Sequence, residues 1–190
     1  MDNKHQIINY LGKNLSRRYT MNELSKLLNI PYASFYRTVQ KMKDVLNIQI
    51  VGKSKTLKLN IRNPIVKAYL IVSSDEEKKE FLMREPIIRK ITNELETKGV
   101  VILFGSYAER KQTQKSDIDI LVISKDGGKT LSFSKYELLY KKKINPIFVT
   151  KKEFKKMIKD KEENVGKQVL KNHIILNNPE GFWDCVFNAI

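Results

Sequence analysis

One cysteine, Cys185, leaves no partner for an internal disulfide and fits a reducing, cytoplasmic compartment. Within Phe182-Trp183-Asp184-Cys185-Val186 it reads as a buried structural thiol. Two histidines, His5 and His173, together with that thiol cannot build an ordinary zinc site. No apolar run approaches the ~20 residues of a membrane span. The start Met1-Asp2-Asn3-Lys4-His5 is no signal peptide. Internal repeats and low-complexity segments are missing too, which excludes solenoids and disordered linkers. Acidic residues are scarce, 21 against 36 Lys and Arg, for a net charge of +15. That balance favours a polyanionic partner, although lysine is frequent along the whole chain and compositional bias accounts for part of it.

What is present is enough for a core. At 190 residues with 41% hydrophobic content, the chain suffices for one domain or two small ones. The excess charge is uneven. Residues 1–63 hold twelve Lys and Arg against three acids, a net +9 of the +15.

The N-terminal third shows three helical patterns. Ile7, Ile8, Leu11 and Leu15 mark the first. Thr20-Met21-Asn22-Glu23 is a capping box for the second, with Leu24, Leu27 and Leu28 as its expected buried face. Pro31 suits the first turn of the third, where Phe35, Val39 and Met42 face inward. Its other face carries Tyr32, Ser34, Tyr36, Arg37, Gln40 and Lys41. Alternating runs over 48–51 and 56–61 around Gly52-Lys53-Ser54-Lys55 predict a basic hairpin.

Further on, Asn60 to Pro64 reads as a boundary, and Ile65 to Val72 as a connecting strand or helix. Ser74-Asp75-Glu76-Glu77 predicts a helix start, running to about Met83. Pro86 opens a helix to about Thr97. Strands are expected at about 100–104, 118–123 and 144–149, with helices over 134–142, 151–161 and a last long one from Val165. Asp126-Gly127-Gly128-Lys129 reads as a turn, and Lys141-Lys142-Lys143 as a solvated face. The apolar tail, Phe182, Trp183, Val186, Phe187 and Ile190, reads as closing the core rather than docking on a partner.

The strongest signal lies between the first two of those strands. Val100 to Phe104 leads into Gly105-Ser106; ten residues later comes Asp117-Ile118-Asp119, opening a second apolar strand. A glycine at a strand-to-helix turn lets phosphate approach the backbone. Carboxylates two apart in a strand share one face and can seat Mg²⁺. At roughly 5–7% per residue type, four such residues at fixed spacing arise by chance about once in 10⁵ starts.

This segment resembles the minimal nucleotidyltransferase family of the DNA polymerase β-like superfamily, with its Gly-Ser, ten residues, Asp-x-Asp pattern. The resemblance implies that Gly105, Ser106, Ser116 and Arg110 hold a nucleoside triphosphate. It implies that Asp117 and Asp119 bind Mg²⁺ and are catalytic. Arg110 stands where the family commonly has glycine. The family's third carboxylate falls at Asn145, which cannot act as a general base. Glu137 and Glu153 are substitutes by type, though they read as exposed helix carboxylates.

The N-terminal third, in turn, resembles a winged helix-turn-helix domain. Its third helix would place Tyr32, Ser34, Arg37 and Lys41 on double-stranded DNA, with Lys53 and Lys55 on the backbone phosphates. The expected fold is therefore α/β (α+β). A winged helix-turn-helix spans 1–63, a connecting segment 64–84, and a nucleotidyltransferase-like mixed sheet flanked by helices 85–190. The expected function is nucleoside monophosphate transfer to an acceptor hydroxyl by a DNA-binding protein. The alternatives are an inactive nucleotide-sensing transcription regulator and an antitoxin-like protein acting on a partner. A protein acceptor and a homodimer stay open; a membrane partner is not expected.

Overall fold

The computed structural model describes residues 1–128 and 131–190. Lys129, the last residue of the turn expected after Asp126, lies outside the described residues. The chain divides into two compact units, Met1–Glu76 and Glu77–Ile190.

The first unit runs α1 (Asn3–Lys13), β1 (Tyr19–Thr20), α2 (Met21–Leu27), α3 (Tyr32–Gln40), β2 (Leu46–Val51) and β3 (Ser54–Leu59). Its sheet is antiparallel, in the order β1-β3-β2. The capping box forms at α2: Thr20 accepts from Glu23 N–H, and Glu23 reaches back to Thr20 N–H. Phe35, Val39 and Met42 are buried, as their spacing predicts. Val51 pairs with Ser54 across a two-residue turn, where Gly52 takes φ +58°, a left-handed conformation that suits glycine.

Three expectations in this unit need correction. Leu27 is 53% exposed, because α2 ends there after only two turns and its inner face is already filled by Met21 and Leu24. Leu15 lies beyond the end of α1. Pro31 is the N-cap of α3 rather than a residue of its first turn.

The helix α4 (Ile65–Arg84) is continuous, so Ser74 starts nothing. Ser73 and Ser74 sit inside it, their hydroxyls donating to the carbonyls of Tyr69 (2.7 Å) and Leu70 (2.8 Å), four residues back. That backward bond satisfies a serine in mid-helix and removes its role as a cap.

The second unit continues with α5 (Pro86–Asn93), β4 (Val100–Phe104), α6 (Gly105–Ala108), β5 (Ile118–Ser124), α7 (Ser134–Tyr140), β6 (Ile144–Thr150), α8 (Lys151–Lys159), α9 (Val165–Lys171), β7 (Ile174–Asn177) and α10 (Pro179–Phe187). Its sheet is mixed, in the order β6-β5-β4-β7: β5 and β6 are parallel, the other pairs antiparallel. Helix α5 stops at Asn93, short of Thr97, whose hydroxyl instead accepts from Gly99 N–H. Helix α9 is seven residues long and is followed by β7 and α10, so it is neither long nor last.

Strand alternation divides the sheet between two cores. Val101, Leu103, Ile118, Ile120, Val122 and Ile144 pack with Phe81, Ile88, Ile91 and Tyr136 on one side. The alternate residues of β5, Asp119, Leu121 and Ile123, take the other face by the strand's period of two. In the apolar tail, Phe182, Trp183 and Val186 are fully buried, whereas Ile190 is 54% exposed. His173 is buried among them, 4.8 Å from the Phe182 ring, with Nδ1 2.7 Å from the Val169 carbonyl. It is structural. Burial also pushes the Cys185 thiol upward, which suits an unreactive side chain.

Candidate active site

The site forms where β4 ends and β5 begins. Phe104 pairs with Asp119 in the antiparallel ladder, so the turn after β4 meets the first carboxylate-bearing residue of β5. Gly105 occupies that turn with φ +68°. A Cβ there would sit 2.4 Å from Asp119 Oδ2. The left-handed backbone favours glycine, and any side chain there would displace the Asp119 carboxylate.

Asp117 lies one residue ahead of β5. It is positioned by the bond from Ile118 N–H to the Lys143 carbonyl (2.9 Å), which joins the starts of β5 and β6. In the parallel register Asp119 faces Asn145. The Asn145 amide donates to both carboxylates, at 3.2 Å to Asp117 Oδ2 and 3.2 Å to Asp119 Oδ1. One NH₂ group therefore bridges two like charges and offsets their repulsion. Lys143 Nζ lies 3.5 Å from Asp117 Oδ2. Both partners are well exposed, so this pair contributes little to stability. Its relevance is local charge, and the solvated-face reading of the 141–143 run missed it.

The remaining predicted residues are placed as follows. Ser106 follows Gly105 in α6, and its carbonyl accepts from Lys111 N–H (2.9 Å). Ser116 is committed to the turn before Asp117: its hydroxyl accepts from Thr113 N–H (2.9 Å) and lies 3.2 Å from Thr113 Oγ1. Arg110 is exposed and adopts φ +57°, a backbone region favouring glycine, the residue that the family pattern has there. Gln112 donates to Glu85 Oε1 (2.6 Å), anchoring the 110–117 loop to the start of α5. Gly105, Asp117, Asp119, Asn145 and Lys143 are brought together; among the described residues no hydrogen bond or ion pair joins Arg110 or Ser116 to the carboxylates.

Neither alternative carboxylate joins the cluster. Glu137 accepts from Ile144 N–H (2.9 Å), and its helix packs on the sheet face opposite Asp119. Glu153 closes the capping box of α8 with Thr150, at the far end of β6 from Asn145.

In the first unit, Tyr32, Arg37 and Lys41 are exposed on or just after α3, and Lys53 and Lys55 at the hairpin tip. Ser34 is less available: its hydroxyl accepts from Asn3 Nδ2 (3.0 Å), tying α3 to α1.

The donor set suits a hard cation. Two carboxylates offer charged oxygens, and the Asn145 carbonyl oxygen is a neutral third. Among the described residues no group of three or more His, Cys, Asp or Glu could hold a metal ion. No helix there is long and apolar enough to cross a membrane.

Residues 85–174 match the family model described as nucleotidyltransferase domain. No curated protein and no solved structure gives a significant match. The matched stretch contains Gly105, Asp117, Asp119 and Asn145 and ends at the first residue of β7. The comparisons thus support a nucleotidyltransferase domain over residues 85–174, with the first unit outside the match.

Proposed function

We propose that this chain is a DNA-binding protein whose second unit binds a nucleoside triphosphate with Mg²⁺ at Gly105, Asp117 and Asp119. The observation that carries the proposal is that Asn145 gathers both carboxylates while Asp119 lies directly against the left-handed Gly105 turn. Asp117 and Asp119 hold the cation, and the Gly105-Ser106 turn and Arg110 steady the phosphates. A bound Mg²⁺ supplies charge neutralisation for the triphosphate. The reaction is attack of an acceptor hydroxyl on the α-phosphorus: the bond to the β-phosphate bridging oxygen breaks, pyrophosphate leaves and the hydroxyl proton passes to a base.

Asn145 favours a second reading. It lacks charge and cannot take the acceptor's proton, so the domain senses a nucleotide and transfers it slowly or not at all. Labelled-triphosphate transfer decides between the two. Rapid transfer dependent on Asp117 and Asp119 supports the enzyme; binding without transfer, raised by Asn145→Asp, supports the sensor.

The first unit is proposed to be a winged helix-turn-helix, with α3 as recognition helix and the β2–β3 hairpin as wing. Its order of elements and the exposed cations on both support that reading. Duplex DNA affinity should fall steeply with salt. Arg37→Ala should reduce sequence preference, whereas Lys53→Ala with Lys55→Ala should weaken all sequences alike. A folded protein that binds no duplex at low salt would overturn DNA recognition.

A further inference from the structure

The second unit has a cavity of about 920 Å³ at the other end of its sheet. It lies where β4 begins and β5 and β6 end, since Val100 pairs with Ile123 and Ser124 with Thr150. From Asp119 to Ser124 is five residues of strand, roughly 16 Å. Four lysines from three separate segments line it: Lys98, Lys125, Lys151 and Lys152. All four are exposed, and among the described residues none is in an ion pair. Among the described residues that line the cavity, Asp126 is the only acid. Its carboxylate is already held by Gly128 N–H (3.1 Å) and the Ser124 hydroxyl (3.3 Å). It neutralises at most one of the four cations.

We propose that this lysine-walled cavity is a second, metal-independent site that binds a compact polyphosphate group. Lysine ammonium groups are mobile point charges suited to phosphate oxygens. Four of them against one carboxylate match an anion of several charges better than a single phosphate. The cavity is of small-molecule size. No aromatic side chain is among the described residues that line it, and aromatic stacking is the means by which single-stranded nucleic acid is commonly held. The phosphate chain is therefore the recognised element. It can come from inorganic polyphosphate or from a nucleotide's tail. The site is independent of the carboxylates: exposed charges this far apart are screened beyond about 10 Å at 0.1 M salt.

The test is calorimetric titration of the full chain with sodium tripolyphosphate at about 0.1 M salt, with EDTA present so that the carboxylate site is silent. One-to-one binding is expected. It should weaken at least tenfold in Lys125→Ala/Lys151→Ala/Lys152→Ala and persist in the corresponding arginine variant. It should be unchanged in Asp117→Asn/Asp119→Asn, which separates this proposal from the nucleotide reading. ATP binding as tightly as tripolyphosphate identifies a nucleotide tail as the source; ATP binding much more weakly identifies the inorganic chain. Amide shifts in the wild-type chain give a readout without substitution: Gly99, Ser124 and Lys151 should move on titration while Gly105 and Ile118 stay. Absent binding, binding indifferent to the lysines, or a thymidine oligonucleotide binding more tightly at the same lysines would each overturn the proposal.

Discussion

The two ends of β5 carry opposite charge. At its start, Asp117 and Asp119 share one asparagine amide, and Asp119 lies against a glycine turn. At its finish, Lys125 joins three more lysines around an open cavity. Between them lie residues 120–123, fully buried on both faces. The contrast teaches how a small sheet separates functions. The apolar middle fixes spacing and orientation, while loops at the ends supply chemistry. The two ends also differ in construction. The carboxylate end is constrained by register and one glycine, so single changes should break it. The lysine end is built of flexible side chains, so it should lose binding gradually.

The largest effect should come from breaking the frame that both ends share. Trp183 is fully buried and contacts the rings of Phe182 (5.1 Å) and His173 (6.0 Å). Trp183→Ala should cost about 3–5 kcal/mol in chemical denaturation. Both ends should then lose ligand binding together; loss at one end alone would contradict a common frame. Next comes Gly105→Ala, which places a Cβ 2.4 Å from Asp119 Oδ2 at φ +68°. Strain of about 1–3 kcal/mol is expected. Metal-dependent nucleotide binding should disappear while tripolyphosphate binding remains.

Smaller effects sharpen the contrast. Asn145→Asp replaces the bridging amide with a third negative charge. Stability without divalent cation should fall by on the order of 1 kcal/mol and recover on adding Mg²⁺. A melting temperature equal to wild type in EDTA would show that the amide does not hold the carboxylates together. At the other end, Thr150→Ala removes the acceptor of Glu153 N–H (3.1 Å) in the α8 capping box. The expected cost is about 1 kcal/mol, with weaker polyphosphate binding and an unchanged carboxylate end.

The smallest effect concerns pH and touches neither end. Glu94 is bonded by Lys135 (2.7 Å), Lys90 and the Tyr136 hydroxyl (2.8 Å), which pull its carboxyl from 4.5 to about 2. A depressed folded value stabilises above the unfolded pKa. That contribution is present at neutral pH and declines as pH falls from about 4.5 towards 2. Glu94→Gln should flatten this part of the stability profile; an identical acid limb in both proteins would remove the network from the account.

Local signals were legible in the sequence. The capping box at Thr20 is set by residues three apart, and it forms. The strands beginning at Val100, Ile118 and Ile144 were readable as apolar runs. Signals that depend on distant partners were not. Ser74 looks like a cap in sequence but is satisfied by the Leu70 carbonyl inside a continuous helix. The strand β1 has two residues and exists only through pairing with β3. Likewise β7, three apolar residues and Asn177, takes its identity from pairing with β4. At the site, the spacing from Gly105 to Asp119 was visible, but the twofold bond of Asn145 follows from strand register. The lysine end was invisible, because its four cations come from segments up to 54 positions apart, Lys98 to Lys152.

The central claim is that Asp117 and Asp119 hold a metal for a nucleotide on the Gly105 turn. Calorimetry with ATP, with and without Mg²⁺, tests it on wild type and on Asp117→Asn/Asp119→Asn. The account predicts a Mg²⁺-dependent component of ATP affinity in the wild type that vanishes in the double variant. Any Mg²⁺-independent component should be equal in both proteins. Equal Mg²⁺-dependent binding by wild type and the folded double variant would contradict the account.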